Sequence, residues 1–303
     1  MNETARVLVT GGSGFIGRRL VEALRVSGRY EVLAPTRVEV DLEAPGVENE
    51  IVRLRPDGLF HLAAYFGGVH FVRANSGSVA RRSAIVNRAV MFAANRLPGL
   101  RVVVAGSACM YPSSLVVPGV EPEALVGAMH ESVSLFGETK RELARWALRH
   151  GHTVPIFSTV YGPGDCIQDP LRCHFLGGLL GRIEAARLAG AGAVDVWGTG
   201  RSVRDIVYVD DAVSALVHLF EEPHCGAFNV ASDDMPRSIA DYAQAVCAAV
   251  GYEGDLRFDP ALPDGQHYKA LDTRKIRATG WRPATPLDAG LRATVAWMRG
   301  KAS

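Results

Sequence analysis

A glycine-rich turn near the amino terminus constrains the fold more than any other feature of this sequence. It occupies residues 10–17, follows a short apolar run at residues 6–10 and precedes a helical pattern, with glycines at positions 11, 14 and 17. The first glycine permits a tight turn, the second lets the backbone approach a pyrophosphate, and the third lets the helix pack on the strand. The dipole of that helix favours a phosphate at its start. The spacing therefore predicts a dinucleotide-binding strand-turn-helix unit.

The first half of the chain continues this alternation of strands and helices. Strand-like apolar runs lie at residues 6–10, 30–34, 58–63, 101–106 and 153–157, and helical patterns at 15–26, 83–95 and 139–150. Because alternating strands and helices form right-handed crossovers, the pattern predicts an α/β fold with a doubly wound parallel Rossmann sheet. The pattern loosens after residue 165. We expect a dinucleotide-binding domain at 1–165 and a smaller α/β lobe at 166–303, partly interleaved with it.

Charge and cysteine content exclude several classes of function. The 33 Lys and Arg residues balance 32 Asp and Glu, which argues against a nucleic-acid clamp or a polybasic membrane anchor. No apolar run approaches the roughly 18 residues of a membrane span, and no signal peptide is evident. The cysteines are odd in number and lack a paired spacing, so we expect reduced thiols in the cytoplasm: Cys109, Cys166, Cys173, Cys225 and Cys247. No metal site is expected, because Cys-x₆-Cys-His is not a recognised zinc spacing.

An arginine after the second predicted strand bears on the choice of cofactor. Arg37 lies twenty residues beyond Gly17, where a carboxylate for the ribose 2′-hydroxyl is often found. A guanidinium there suits a 2′-phosphate and favours NADP. NAD stays an alternative because Glu39 and Asp41 lie nearby. A solvated arginine at the surface that contacts no ligand is the other alternative.

Three motifs together resemble the extended short-chain dehydrogenase/reductase family, also described as NAD-dependent epimerases/dehydratases. They are the glycine turn and the segments at residues 61–64 and 160–164. The resemblance covers essentially the whole chain. It implies a Rossmann domain that binds NADP, a C-terminal lobe that binds a nucleotide sugar, and a homodimer. Residues 106–112, 197–200, 204–205 and 263–265 are similar to the GDP-L-fucose synthase branch, which epimerises carbons 3 and 5 and reduces carbon 4 of a GDP-4-keto-6-deoxyhexose.

The catalytic pattern of this family is incomplete here. It consists of a Ser or Thr followed by Tyr-x-x-x-Lys on a helix, where positions i and i+4 share a face. Ser107 and Lys140 match, but Phe136 stands where the tyrosine is expected. Because a positioned general acid contributes about 10²–10⁴-fold, we expect reduction of a ketone to be impaired. An introduced Tyr→Phe substitution and a natural enzyme that no longer needs the phenol both fit the sequence.

The resemblance also assigns a proton-exchange pair and two sets of binding residues. Cys109 and His174 are expected to exchange protons at carbons 3 and 5, which the adjacent ketone acidifies, with the cysteine thiolate as base. The implied cofactor contacts are Gly11, Gly14, Phe15, Ile16, Gly17, Arg37, Asp41, Leu42, Ala63, Lys140 and Val160. The implied contacts to sugar and diphosphate are Arg182, Trp197, Arg204 and Lys269. The six histidines other than His61, His174 and His267 form no cluster in sequence and are expected at the surface.

These features predict an NADP-binding nucleotide-sugar epimerase/reductase with impaired reduction. A redox-neutral nucleotide-sugar epimerase is the alternative that Phe136 suggests. A cofactor-binding module without catalysis is a third reading, against which the joint presence of Ser107, Cys109, Lys140 and His174 argues.

Overall fold

The alternating pattern folds into one central parallel sheet. The computed structural model describes residues 5–169, 172–222, 224–262 and 264–300. Elements are numbered in chain order. Within the described residues the central sheet has seven strands: β1 Ala5–Thr10, β2 Tyr30–Leu33, β3 Gly58–His61, β4 Arg101–Val104, β5 Gly106–Ser107, β6 Thr153–Phe157 and β11 Gly226–Val230. Every pairing between them is parallel.

The strand order places a binding crevice beside β1. The order is β2-β1-β3-β4-β6-β11, with β5 paired to β6, so the chain reverses direction across the sheet between β1 and β3. Ligands of doubly wound sheets bind at the carboxyl ends of the strands at such a switch point. The glycine turn follows β1 directly and therefore lies at that position.

Helices cover both faces of the sheet. They are α1 Phe15–Ser27, α2 Val47–Arg53, α4 Ser76–Ala94, α5 Ser134–Arg149 and α7 Val209–Glu221. Helix α3 Val69–Ala74 packs against α4. Helices α1 and α7 pack on one face, and α2, α4 and α5 on the other. Alternate residues of one strand reach the two faces: Val7 and Val9 belong to the core under α1, whereas Leu8 belongs to the core under α4 and α5. This is the predicted doubly wound arrangement.

The C-terminal part of the chain adds smaller elements around the same core. Its helices are α6 Phe175–Leu188, α8 Ile239–Val250, α9 Arg274–Ala278 and α10 Leu287–Gly300. Its strands are β7 Thr159–Tyr161 with β10 Ile206–Tyr208, β8 Ala193–Trp197 with β13 Asp255–Asp259, and β9 Val203–Arg204 between β12 Arg237–Ser238 and β14 Tyr268–Lys269. Helix α7 and strand β11 also come from this part of the sequence, yet both complete the central layer.

Two helices begin earlier than the sequence pattern predicts. Helix α4 starts at Ser76 rather than residue 83. The sequence pattern does not reveal its first two turns, because they are mostly polar and bury only Val79. Helix α5 starts at Ser134 rather than residue 139, so its first turn carries Phe136 into the interior. Both extra turns contact residues that are distant in sequence: Arg82 pairs with Glu43, and Phe136 stacks on Phe66. A search for apolar periodicity cannot detect such contacts.

The prediction of five reduced thiols is wrong for one pair. Cys166 and Cys173 are joined by a disulfide, with their Cα atoms 4.9 Å apart. The backbone N–H groups of Arg172 and Cys173 both donate to the Asp169 carbonyl. These hydrogen bonds hold Cys173 close to the residues that follow Cys166. Cys109, Cys225 and Cys247 are free thiols.

None of the helices in the described ranges combines the length and apolar character that crossing a bilayer requires.

Candidate active site

The turn after β1 has the geometry that its glycines predict. Gly11 has a φ of +76°, and the Gly14 N–H donates to the Gly11 carbonyl at 3.0 Å. A Cβ on Gly11 would lie 2.6 Å from the backbone nitrogen of Ala63, and a Cβ on Gly17 would overlap the Gly11 carbonyl. A Cβ on Gly14 would meet only the Gly11 carbonyl, at 3.2 Å. The turn is thus held between α1 and the end of β3, with Gly14 left open to a ligand.

The predicted 2′-phosphate site carries carboxylates as well as arginines. The exposed Arg37 guanidinium pairs with Asp41 at 3.4 Å and with Glu43 at 3.2 Å. Glu43 also accepts hydrogen bonds at 2.6–3.0 Å from Arg82, whose guanidinium lies 3.7 Å from the centre of the Tyr65 ring. Sequence reasoning missed Arg82, because it lies on α4, far along the chain from Arg37. A phosphate here would lie near the guanidiniums of Arg37 and Arg82. It would compete for them with the carboxylates of Asp41 and Glu43.

A central cavity of about 340 Å³ opens at the carboxyl ends of the strands. All predicted catalytic residues line it: Ser107, Cys109, Phe136, Lys140 and His174. So do all predicted substrate contacts: Arg182, Trp197, Arg204 and Lys269. Of the predicted cofactor contacts, Phe15, Ile16, Lys140 and Val160 line it, whereas Gly11, Gly14, Gly17, Arg37, Asp41, Leu42 and Ala63 lie outside it. Pro263, part of the resembling segment 263–265, is outside the described residues.

A short 3-10 turn presents Cys109 to the cavity. The turn spans Ala108–Met110, and the Ser107 hydroxyl caps it by accepting the Cys109 N–H at 3.2 Å. The buried guanidinium of Arg141 on α5 donates to the Met110 carbonyl at 2.6 and 2.9 Å. The same guanidinium donates to the carbonyls of residues 124, 126 and 127. Arg141 therefore connects α5, the Cys109 turn and the loop before α5.

The position of the expected tyrosine is closed by two aromatic rings. Phe136 stacks on Phe66, with ring centres 4.0 Å apart and planes inclined by 25°. No tyrosine in the described ranges lines the cavity. Tyr111 is buried and donates to Asn229 at 2.7 Å, and Tyr161 is buried elsewhere in the core. A phenol that could replace the missing one is therefore absent from the described part of the cavity.

Lys140 is a buried cation beside this aromatic pair. Its Nζ donates to the Ala105 carbonyl at 2.9 Å and lies 5.8 Å from the centre of the Phe136 ring. Burial lowers the pKa of Lys140 to about 8, and the neighbouring Cys109 opposes the shift. An ammonium has three donors, so two remain for a ligand.

A buried hydrogen-bond chain fixes the start of α5. Thr139 Oγ1 donates to the Phe136 carbonyl at 2.7 Å, and Asn87 Nδ2 donates to the Thr139 carbonyl at 3.1 Å. Asn87 Oδ1 lies 3.1 Å from His61 Nε2, and His61 Nδ1 lies 2.7 Å from Thr10 Oγ1. Burial lowers the pKa of His61 to about 3, so the ring is neutral. The chain joins β1, β3, α4 and α5.

His174 stands at the start of α6, directly after the disulfide. Its ring centre is 5.5 Å from that of Phe66. Burial, and secondarily the charge of Lys269, lower the pKa of His174 to about 4. His174 is therefore neutral around pH 7 in this structure.

Cations and rings complete the substrate side. The guanidinium of Arg182 lies 4.8 Å from the centre of the Trp197 ring, and His70 meets the same ring edge-on at 4.3 Å. Nη1 of Arg182 is buried without a hydrogen-bond partner among the described residues. Burial lowers the pKa of Arg204 to about 10, and its guanidinium donates to the carbonyls of Val203 and Asp264. This side can hold an anionic group.

Two histidines of the cavity were missed by sequence reasoning. His70 and His130 both line it, which corrects the expectation that they lie at the surface. Neither has a characteristic spacing to another polar residue. The fold brings His70 to the cavity from α3 and His130 from the loop before α5. Neither residue is close in sequence to the predicted catalytic residues Cys109, Lys140 and His174.

Comparisons with known proteins identify relatives along nearly the whole chain. Residues 7–231 match the model of the NAD dependent epimerase/dehydratase family. A GDP-L-fucose synthase of Azorhizobium caulinodans is 29% identical over 97% of this chain and 96% of its own length. A GDP-6-OMe-4-keto-L-xylo-heptose reductase of C. jejuni superposes with a TM-score of 0.87 at 20% identity, over 99% of each chain. A GDP-L-fucose synthetase of Naegleria fowleri gives 0.86 at 23%, over 100% of this chain and 95% of its own.

Proposed function

The chain belongs to the NAD-dependent epimerase/dehydratase family, and on that basis we propose that it is an NADP-binding nucleotide-sugar epimerase/reductase whose reductive step is impaired. Its substrate in this proposal is a GDP-4-keto-6-deoxyhexose, as the relatives named GDP-L-fucose synthase suggest. One observation carries the proposal. The cavity brings Ser107, Cys109, Lys140 and His174 together around Phe136, with no tyrosine among its described lining residues.

Epimerisation needs only groups that this cavity contains. The ketone at carbon 4 acidifies the neighbouring C–H bonds, because the electron pair left by the proton delocalises onto the carbonyl oxygen. One side chain removes the proton and another returns one on the opposite face of the sugar. Neutral His174 is in the form that accepts a proton, and the Cys109 thiol can return one. The reverse pairing, with a Cys109 thiolate as base, requires a protonated His174.

The residues present fit a phosphorylated dinucleotide. The open approach at Gly14 suits a pyrophosphate, Arg37 and Arg82 suit a 2′-phosphate, and the two remaining Lys140 donors suit ribose hydroxyls. When bound in its reduced form, this cofactor supplies a hydride. The chain's own task is then to protonate the oxygen at carbon 4.

That protonation is the step for which a group is missing. Hydride addition to carbon 4 leaves an alkoxide, and the family pattern protonates it from a tyrosine at the position of Phe136. A phenyl ring has no proton to donate, and Phe66 covers its face. We therefore expect reduction to be slower than epimerisation in this chain.

The same aromatic stack favours a second candidate function, a redox-neutral epimerase. In that case the chain would exchange protons at carbons 3 and 5 and no hydride would be transferred. Phe66 and Phe136 would then form an apolar wall of the epimerase cavity, rather than a reductive site that lacks its tyrosine.

An isotope experiment tests the proposal and separates the two candidates. The chain is incubated with GDP-4-keto-6-deoxymannose and NADPH in deuterated water. We expect deuterium at carbons 3 and 5 by mass spectrometry and NMR, with NADPH oxidation much slower than exchange. Exchange with no NADPH oxidation at all supports the redox-neutral epimerase. Tight NADPH binding without any exchange contradicts both and leaves a cofactor-binding module.

A further inference from the structure

His130 lies in the loop before α5 and is held rigidly there. Its carbonyl accepts the Val133 N–H at 3.0 Å, and the carbonyl of Ala128 accepts the Ser113 N–H at 2.9 Å. The preceding carbonyls of this loop accept the guanidinium of Arg141. The side chain of Met129 packs against Gly137, where a Cβ would also lie 2.7 Å from the Cys109 carbonyl. The loop that carries His130 therefore abuts the Cys109 turn.

The hydrogen bonds of His130 identify its tautomer. Ser132 Oγ lies 2.8 Å from Nδ1, and the Ser132 backbone N–H also donates to Nδ1, at 3.4 Å. An amide N–H can only donate, so Nδ1 is an acceptor and the ring proton of the neutral form is on Nε2. No hydrogen bond to Nε2 is present among the residues that the structure describes. His130 thus brings an uncommitted N–H donor to the lining of the cavity.

Two cations near His130 are also near the proton-exchange pair. Burial, Lys269 and Arg204 lower the pKa of His130, and Glu131 opposes them, so the ring is neutral at pH 7. Lys269 also acts on His174, and Arg204 is within electrostatic range of Cys109. His130 therefore shares Lys269 with His174 and Arg204 with Cys109.

We propose that His130 is a further catalytic residue, whose Nε2–H donates a hydrogen bond to the oxygen at carbon 4 of the substrate. This inference rests on the proposed function. When a C–H bond at carbon 3 or 5 breaks, its electron pair forms a carbon–carbon double bond and the carbonyl π pair moves onto the oxygen. The proton goes to the base, while the Nε2 proton stays on His130. The developing enolate oxygen then has two neutral donors, Ser107 and His130, in place of the tyrosine.

Substitutions of His130 test this role by deuterium exchange from the solvent into GDP-4-keto-6-deoxymannose. Loss of one donor to a developing oxyanion typically costs about 10²–10³ in kcat. We expect His130→Ala to lower kcat for exchange by about 10²-fold with KM changed far less. His130→Gln should retain more of the rate, because its carboxamide N–H can still donate. His150→Gln, on an exposed side chain at the opposite end of α5, is the matched control and should exchange normally.

The outcomes distinguish this inference from the proposed function. If the unaltered chain shows no exchange, the proposed function fails and the role of His130 with it. If the unaltered chain exchanges and His130→Ala does so at the same kcat, only His130 is removed from the mechanism. A loss confined to KM, or equal losses in the Ala and Gln variants, also overturns the donor role. If the Ala variant fails to bind NADPH, His130→Met, which fills the space without a donor, replaces it.

Discussion

The two sides of the central cavity differ in the chemical groups that line them. One side carries Cys109, His174 and the cations Arg204 and Lys269, and burial lowers the pKa values of His174 and Arg204. The other side carries the stacked rings of Phe66 and Phe136, with no protonatable group in the stack. In the proposed function, the first side moves protons at carbons 3 and 5, and the second lacks the acid for carbon 4. The proposal therefore assigns epimerisation and reduction to different side chains, so substitutions should affect them separately.

Lys140 is the point where the two sides meet. Its Nζ lies 5.8 Å from the centre of the Phe136 ring; burial lowers its pKa, and Cys109 opposes that shift. A buried ammonium is costly unless it is paired and hydrogen-bonded. Lys140 has one such bond, to the Ala105 carbonyl, and in the proposed function its remaining donors serve the cofactor.

The polar side is tested most strongly by Cys109→Ser. A serine hydroxyl is a far weaker acid than a thiol, so proton exchange at carbon 3 or 5 should fall by about 10³-fold. The measurement is deuterium incorporation by mass spectrometry. Cys247→Ser, a buried free cysteine of the core under α8, is the control and should exchange normally. Unchanged exchange in Cys109→Ser would remove this residue from the mechanism.

A buried cation at Lys140 predicts a pH dependence of stability. Its pKa falls from 10.5 to about 8 on folding, so between these values the unfolded chain binds a proton that the folded chain does not. The free energy of unfolding should therefore rise with pH across this window, by about 3 kcal/mol in total. Lys140→Met should lack this rise. Urea unfolding of both proteins at pH 8, 9 and 10 measures the difference, and parallel curves would show that Lys140 is not buried as a cation.

Restoring the phenol should reduce the contrast between the two sides. In Phe136→Tyr, a hydroxyl beside Lys140 has its pKa lowered toward the working pH and can protonate the oxygen at carbon 4. NADPH oxidation with the 4-keto sugar should rise by about 10²-fold. Phe66→Tyr adds the same group to the other ring of the stack and should give no such gain. If Phe136→Tyr binds both ligands and shows no increase, the redox-neutral epimerase becomes the better description.

The smallest effect is expected outside the cavity, at Arg37. A charge-assisted hydrogen bond to a phosphate contributes about 1.5–3 kcal/mol, but Asp41 and Glu43 compete for the same guanidinium. Arg37→Ala should reduce the preference for NADP over NAD by about tenfold, as measured by calorimetry. Arg292→Ala, at an exposed arginine paired with Asp288, should leave it unchanged. Equal affinities for NADP and NAD in the unaltered chain would show that Arg37 does not bind the 2′-phosphate.

Sequence reasoning succeeded where function depends on backbone geometry or on a short motif. The doubly wound sheet follows from the alternation of elements, and the roles of Gly11 and Gly17 follow from their spacing after β1. Placing Cys109 and His174 in one cavity needed the family resemblance. No spacing rule connects residues that reach a site from separate loops.

The remaining parts of the site depend on tertiary contacts alone. Phe66 matters because it stacks on a ring 70 positions away, and Arg82 because α4 returns beside the loop after β2. The predicted surface positions of His70 and His130 were wrong because their burial comes from elements distant in sequence. The disulfide was missed because a local turn closes it.

The guanidinium of Arg141 also has a mechanical consequence. Its donors reach the carbonyl groups of Met110 and of the loop before α5, at distances of 2.6–2.9 Å. A lysine could satisfy at most three of these acceptors, and not in a fixed plane. The helix that carries Phe136 is thereby braced against the turn that carries Cys109. Any tilt of α5 as a cofactor enters would therefore shift Cys109 as well. Phe136 and Cys109, which have different chemical roles in the proposal, would move together as one rigid unit.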